Sequence, residues 1–318
     1  MAEEQRGVAT FWSQIKRPLQ IIVAAALLLF ILTKIPLYEI GEALQQTSLS
    51  LFVLATFLFL PTFWLQAVRW RLLFPREGEE PLPISLFLRL LFIGQFASLF
   101  LPSTVGGDAV RAVMLGKQRG GIGSATSSVL LGRVFGVAAL LCFVWLGWAI
   151  APEQLSPFPL FLPILIGFTL ITALALLLIF LFPLHWSERW SKIRGLSGVI
   201  QNLSAVRRLP FSHTLLAVFL SIAIQFSSNL LTFFIYRAVG MPFPWEGIFT
   251  LIPILMLINL IPLSFFNIGV REGAMILLFT HLPGVTPALC IAASTIGYAS
   301  VLFPAFIGFL LYIKRREA

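Results

Sequence analysis

The sequence predicts an all-α polytopic membrane protein: six spanning helices plus two re-entrant broken-helix hairpins arranged as an inverted repeat, with N- and C-termini cytoplasmic. Three observations lead there. Over 318 residues the chain is 58% hydrophobic and only 11% charged, far from the balance of soluble domains. Several apolar stretches reach the roughly 18–20 residues that a spanning helix needs. One unusual segment also occurs twice. Pro102–Met114 reads PSTVGGDAVRAVM and Pro262–Ala274 reads PLSFFNIGVREGA. An offset of 160 lays Pro102 on Pro262, Val110 on Val270 and Arg111 on Arg271. Each copy breaks an apolar run with Pro, Gly, Ser and charge, the pattern of discontinuous helices in matching halves.

Residues 1–18 form a cytoplasmic N-terminal segment. Leu19–Ile35 lacks a convincing small-x-small cleavage site and reads as a retained first span rather than a signal. Ser50–Val68 is the second. Ile84–Leu101 ends at Pro102 and, with a short helix over Asp108–Lys117, makes the first hairpin, 84–118. Ser124–Ile150 and Phe158–Phe182 complete the first membrane repeat, 19–182. A basic connector, 183–212, suits either a surface-lying amphipathic helix or an ordinary loop. The second repeat, 213–313, holds Thr214–Tyr236, the hairpin 246–281 and Thr286–Tyr312. Within that hairpin, apolar Glu246–Ile261 precedes a short helix over Val270–His281. Residues 314–318 form a cytoplasmic tail.

Charge decides between hairpins and full crossings. With hairpins, sixteen of the 22 Lys and Arg residues fall on the cytoplasmic side, Arg69 among them. Lys34 and Arg237 fall opposite, and Arg89, Arg111, Arg133 and Arg271 lie at membrane depth. Full crossings would move the basic loop Trp186–Arg208 outside, against the positive-inside tendency. Three crossings per half then invert the second half relative to the first.

Charges at membrane depth are costly and need partners or a purpose. Asp108 and Arg111 are three apart and can pair on one helix face. Glu272 adjoins Arg271, so it is expected to pair across the repeats with Arg111 or Arg133. Arg133, in Gly132-Arg133-Val134-Phe135-Gly136, reads as an inward-facing guanidinium beside a close helix approach. Gly106 and Gly107, and Gly269 in the second copy, are expected to open the short helices and expose backbone N–H groups that attract anions. With Arg111, Arg271 and Arg133 they suit a phosphate or carboxylate. Ser103, Thr104, Ser264 and Asn267 would donate further hydrogen bonds, and Gln95 and Asn259 add polar lining. Asp108 and Glu272 would balance charge or carry protons. The plainer alternative is a set of ion pairs that only pins the hairpins together.

The net charge of +9 fits cytoplasmic loops facing anionic lipid, not nucleic acid. His185, His213 and His281 sit at segment ends, and Cys142 and Cys290 read as buried small residues, so neither metal nor cofactor is expected. No catalytic motif occurs, and no catalytic residue is assigned.

At these residues the chain resembles the membrane domain of the lysylphosphatidylglycerol synthase family, also described as flippase-like. The matching elements are Leu101-Pro102 through Gly106-Gly107-Asp108 to Arg111, Gly132-Arg133 to Gly136, and Pro262 and Ser264 through Gly269 to Arg271-Glu272, with the span end Arg69-Trp70. The resemblance covers roughly Leu19 to Lys314 and implies translocation of a lipid in a prokaryotic plasma membrane (the inner membrane of a Gram-negative cell). The cargo would be a lipid with an anionic headgroup, a phospholipid or a polyprenyl-phosphate-linked carrier. The alternative is a non-transporting subunit that binds a lipid-linked intermediate for a glycosyltransferase or other lipid-modifying enzyme. A homo-oligomer is compatible with either. The family's soluble aminoacyl-transfer domain has no counterpart here, so that activity is not expected. A small-anion carrier is a third reading; Phe96, Phe100, Phe265 and Phe266 around the breaks suit acyl chains better.

Overall fold

The computed structural model describes residues 37–74, 80–101, 104–181, 203, 206–207, 209–260 and 267–316. Among them every regular element is helical: α1 Leu37–Gln45, α2 Leu49–Phe57, α3 Phe59–Leu72, α4 Ile84–Ser98, α5 Thr104–Gln118, α6 Gly121–Ile150, α7 Phe161–Leu181, α8 Phe211–Ala238, α9 Leu251–Asn259, α10 Val270–Phe279 and α11 Pro287–Arg316. Five stretches are long and apolar enough to cross a membrane: Leu49–Leu72, Gly121–Ile150, Phe161–Phe180, Phe211–Ala238 and Pro287–Lys314. They coincide with five of the six expected spans. The sixth, Leu19–Ile35, lies outside the described residues, as do the segment 1–18 and most of the connector 183–212, whose last two residues open α8.

Helix length separates these spans from the two interrupted segments. A rise of 1.5 Å per residue gives the 15-residue α4 about 22 Å and the nine-residue α9 about 14 Å, short of a hydrocarbon core of about 30 Å. Each is followed by a second short helix, α5 after α4 and α10 after α9.

Local chemistry sets the other breaks. α2 and α3 form one span with a turn at Leu58, where Pro61 removes a backbone donor and crowds the preceding turn. The Thr62 hydroxyl donates to the Leu58 carbonyl at 2.7 Å. α1 is an addition to the expected elements. It buries Ile40 and Ala43, exposes Tyr38 and packs on α11. Two glutamates in nine residues hold its hydropathy below that of a span.

Packing is reciprocal. The helices before the hairpins, α3 and α8, lie side by side, with Thr62 and Ser227 hydroxyls 2.6 Å apart. α4 packs most extensively against α11, the long helix that follows the other hairpin. α9 in turn packs against α6, the long helix that follows the first. Glycine closes the first contact, and it also closes α6 against the residues just before α9. A Cβ on Gly308 would fall 2.0 Å from the Phe92 carbonyl oxygen, and one on Gly147 would fall 2.0 Å from that of Phe249. No larger residue permits either approach, which is how helices gain contact where lipid offers no hydrophobic drive. One buried cluster joins α3, α4 and α5 through Phe63, Trp70, Phe87, Leu91 and Leu115. A second joins α8, α9 and α10 through Leu231, Tyr236, Ile252, Met275 and Phe279. Outward faces stay apolar: Leu54, Phe57, Leu170, Ile171, Phe219 and Phe306 are exposed. So is Cys142, against the expectation that it is buried, because its face of α6 points away from the neighbouring helices; Cys290 is buried.

Candidate functional site

A cavity of about 550 Å³ opens between the helices that precede the hairpins, the hairpins themselves and the long helices behind them. Arg69, Asp108, Arg111, Arg133 and Arg271 line it, with Gln66, Gln95, Ser98, Ser221 and Gln225. A smaller cavity of about 340 Å³ shares Gln95, Ser98, Arg133 and Arg271 and adds Asn259, Asn267 and Tyr298. The three arginines singled out in the sequence therefore meet in one space, although α5, α6 and α10 carry them.

Asp108 organises the first-hairpin side. It pairs with Arg111 at 2.7 Å and also with the Nε of Arg133. The Asp108–Arg111 pair is the one that the three-residue spacing predicts. Arg111 is held from its other side by the Trp70 ring, 5.1 Å from the ring centroid, a cation–π contact. The Trp70 indole donates to Ser128 at 2.9 Å, which fixes the ring.

Glu272 departs from expectation. It accepts from the Gly269 backbone N–H at 2.6 Å and from the Ser294 hydroxyl, so both oxygens are used by α11 and by the start of its own helix. It makes no ion pair with Arg111 or Arg133. A carboxylate at the third helical position reaches back to its own helix start more readily than across an interface. Arg271 is left over the Tyr298 ring at 4.9 Å. Gly297 gives it room: a Cβ there would meet its guanidinium nitrogen at 2.5 Å.

The glycines also differ from the sequence expectation. α5 begins at Thr104, so Gly106 and Gly107 lie within its first turn and do not open a helix at Asp108. Their role is contact. A Cβ on Gly107 would fall 2.1 Å from the Ser98 hydroxyl and 2.3 Å from the Gly94 carbonyl, so α4 and α5 touch backbone to backbone. On Gly106 it would fall 2.4 Å from Leu101. Gly269 does open α10, at a φ of 82°, and its own N–H donates to Glu272. Asn267, at a φ of 59°, turns the chain as glycine would, which its short amide side chain tolerates. Its side-chain N–H donates to the Asn259 carbonyl at 2.6 Å. Ser103 and Ser264 lie outside the described residues, as does the Thr104 side chain.

Arg69 is the lining residue that sequence reasoning missed. The span was expected to end at Val68, which would put Arg69 in the cytoplasmic loop. α3 instead runs on to Leu72 and turns Arg69 inward, where it donates to Ser221 at 2.9 Å. Gly132 and Gly136, one turn apart on α6, face its guanidinium; Cβ atoms there would lie 3.7 and 3.9 Å from its nitrogens. The usable signal was the Gly132–Gly136 pair, a strip without side chains that a long cation can lie along.

Long apolar helices around a cationic interior cavity define a multi-pass membrane protein with a polar internal site. The family model described as the lysylphosphatidylglycerol synthase TM region matches residues 18–308, and the chain belongs to that family. No curated protein and no solved structure shows detectable similarity to it.

Proposed function

We propose that the chain is a flippase-like transporter that carries a lipid with an anionic headgroup across the plasma membrane of a prokaryote. The observation that carries this reading is the cavity itself: four guanidiniums from α3, α5, α6 and α10 converge on a space of about 550 Å³. Arginine forks bind phosphate bidentately, and a space of that size suits a headgroup. Lipid tails would remain against the apolar outer faces.

An inverted repeat with six spans and cytoplasmic termini accounts for the reciprocal packing. The glycine contacts Gly147 with Phe249 and Gly308 with Phe92 are related by offsets of 161 and 157, close to the offset of 160 between the sequence copies. Position 133, whose arginine holds Asp108, lies 161 before Ser294, which holds Glu272. Rocking of one half against the other would expose the cavity alternately to the two leaflets. Asp108 balances charge in this reading, and no covalent chemistry is part of it.

Reconstituted protein is expected to move fluorescent phosphatidylglycerol between leaflets, and Arg111→Ala and Arg271→Ala are expected to abolish the movement. Folded wild-type protein that moves no anionic lipid refutes transport. If that protein still binds anionic lipid, the remaining reading is a subunit presenting a lipid-linked intermediate to a partner glycosyltransferase or other lipid-modifying enzyme.

A further inference from the structure

We propose that the headgroup taken by this cavity carries two negative charges on phosphate, as a phosphomonoester or diphosphate, rather than the single charge of a phosphodiester. The inference rests on the lipid-binding reading above and concerns the charge of what the same cavity holds. Among the described residues, four arginines and one carboxylate, Asp108, line the space. Glu272, buried just behind Arg271, is the second carboxylate of the neighbourhood. Four cations against two anions leave two positive charges in excess.

The excess has an address. Asp108 is shared by Arg111 and Arg133. Among the described residues, neither Arg69 nor Arg271 has an ion pair with a carboxylate: Arg69 donates to the neutral Ser221 hydroxyl, and Arg271 lies over the Tyr298 ring and beside the neutral Tyr298 and Tyr236 hydroxyls. The Nε atoms of Arg111 and Arg271 are buried without a hydrogen-bond partner. An uncompensated charge away from bulk water costs several kcal/mol, and orphaned donors add to that cost. A bound anion removes both penalties. A phosphodiester offers two unbridged oxygens and one charge, enough for a single fork. A phosphomonoester dianion offers three oxygens and a diphosphate more, enough to serve both uncompensated guanidiniums.

The test titrates the purified full-length chain in detergent at pH 8, where a phosphomonoester is a dianion. Short-chain phosphatidic acid is compared with phosphatidylglycerol of the same acyl chains, binding being read by tryptophan fluorescence and by thermal stabilisation. Phosphatidic acid is expected to bind about tenfold tighter. Arg69→Gln and Arg271→Gln are each expected to bring that ratio toward one while leaving phosphatidylglycerol binding measurable. Arg69→Lys, which keeps the charge, separates loss of charge from loss of fold. Equal affinity for the two lipids, with both sensitive to Arg111→Gln, overturns the dianion inference and leaves the lipid site standing. Binding of neither lipid to folded protein overturns both. Inorganic phosphate or diphosphate binding as tightly as phosphatidic acid supports the charge assignment and overturns the lipid as its source.

Discussion

Asp108→Asn should destabilise the protein and strengthen its hold on anions at the same time. The variant keeps shape and volume but removes the one charge that Arg111 and Arg133 share. Each contact is a charge-assisted bond worth about 1.5–3 kcal/mol where solvent is excluded. The pair is not fully dry: Asp108 is 15% exposed and the Arg133 side chain 32%. Cavity water therefore screens part of the loss, and the net effect should be about 2–4 kcal/mol, at or below the range for breaking a fully buried pair. Thermal unfolding of the detergent-solubilised protein, followed by tryptophan fluorescence, measures it. Adding Arg133→Gln to Asp108→Asn should recover part of the loss, because the second change removes a cation that the first has stranded. Anion affinity should move the other way and rise several-fold in Asp108→Asn, since the carboxylate no longer competes for the same forks. An unchanged unfolding midpoint, strict additivity of the double variant, or a fall in anion affinity would refute the reasoning.

Three further outcomes follow from the same geometry. Arg69→Gln and Arg271→Gln, which remove charges with no carboxylate partner, should leave the unfolding midpoint of ligand-free protein unchanged or raised while weakening anionic-lipid binding; clear destabilisation of both would show that the charges are compensated. Gly107→Val should force apart α4 and α5, where a Cβ has only 2.1 Å to the Ser98 hydroxyl; overpacking of this kind costs about 1–3 kcal/mol, and a wild-type midpoint would contradict the contact. Glu272→Ala should cost about 1–3 kcal/mol by orphaning the Gly269 N–H and the Ser294 hydroxyl, whereas Glu272→Gln should recover part of it, as read in the same unfolding assay.

The spans were legible because hydropathy is a local property: the expected Ser124–Ile150 and the observed Gly121–Ile150 differ by three residues at one end. The interruptions were legible because Pro, Gly and charge stand out against an apolar background. Asp108–Arg111 was legible because a three-residue spacing fixes geometry within one helix. What sequence could not give were partners set by tertiary approach. Arg69 meets Ser221 across 152 positions, and nothing near Arg69 in the chain marks that meeting. Gly106 and Gly107 suggest a broken helix as readily as a tight crossing, and only the neighbour at Gly94 decides between them. Glu272 was assigned to a distant arginine because ion pairing was weighed above the backbone N–H three residues away. α1 is harder to see because it is only nine residues long and, with two glutamates, too polar to read as a span, although its apolar residues do fall on one face.

The glycine clasp at Gly308 also sets an order of events during synthesis. α4 is complete by Ser98, yet the helix it leans on most heavily starts only at Pro287. More than 200 residues must be added after Ser98 before Gly308 is there to meet the Phe92 backbone. Until then α4 has Phe63 and Trp70 of α3 and Leu115 of α5 on one side and no partner from α11 on the other. The first of the two short helix pairs to be made is thus among the last to be locked. A translation arrest placed before Pro287 would hold the chain with α4 and α5 made but unclasped, and protease access to α4 would report how long that interval lasts.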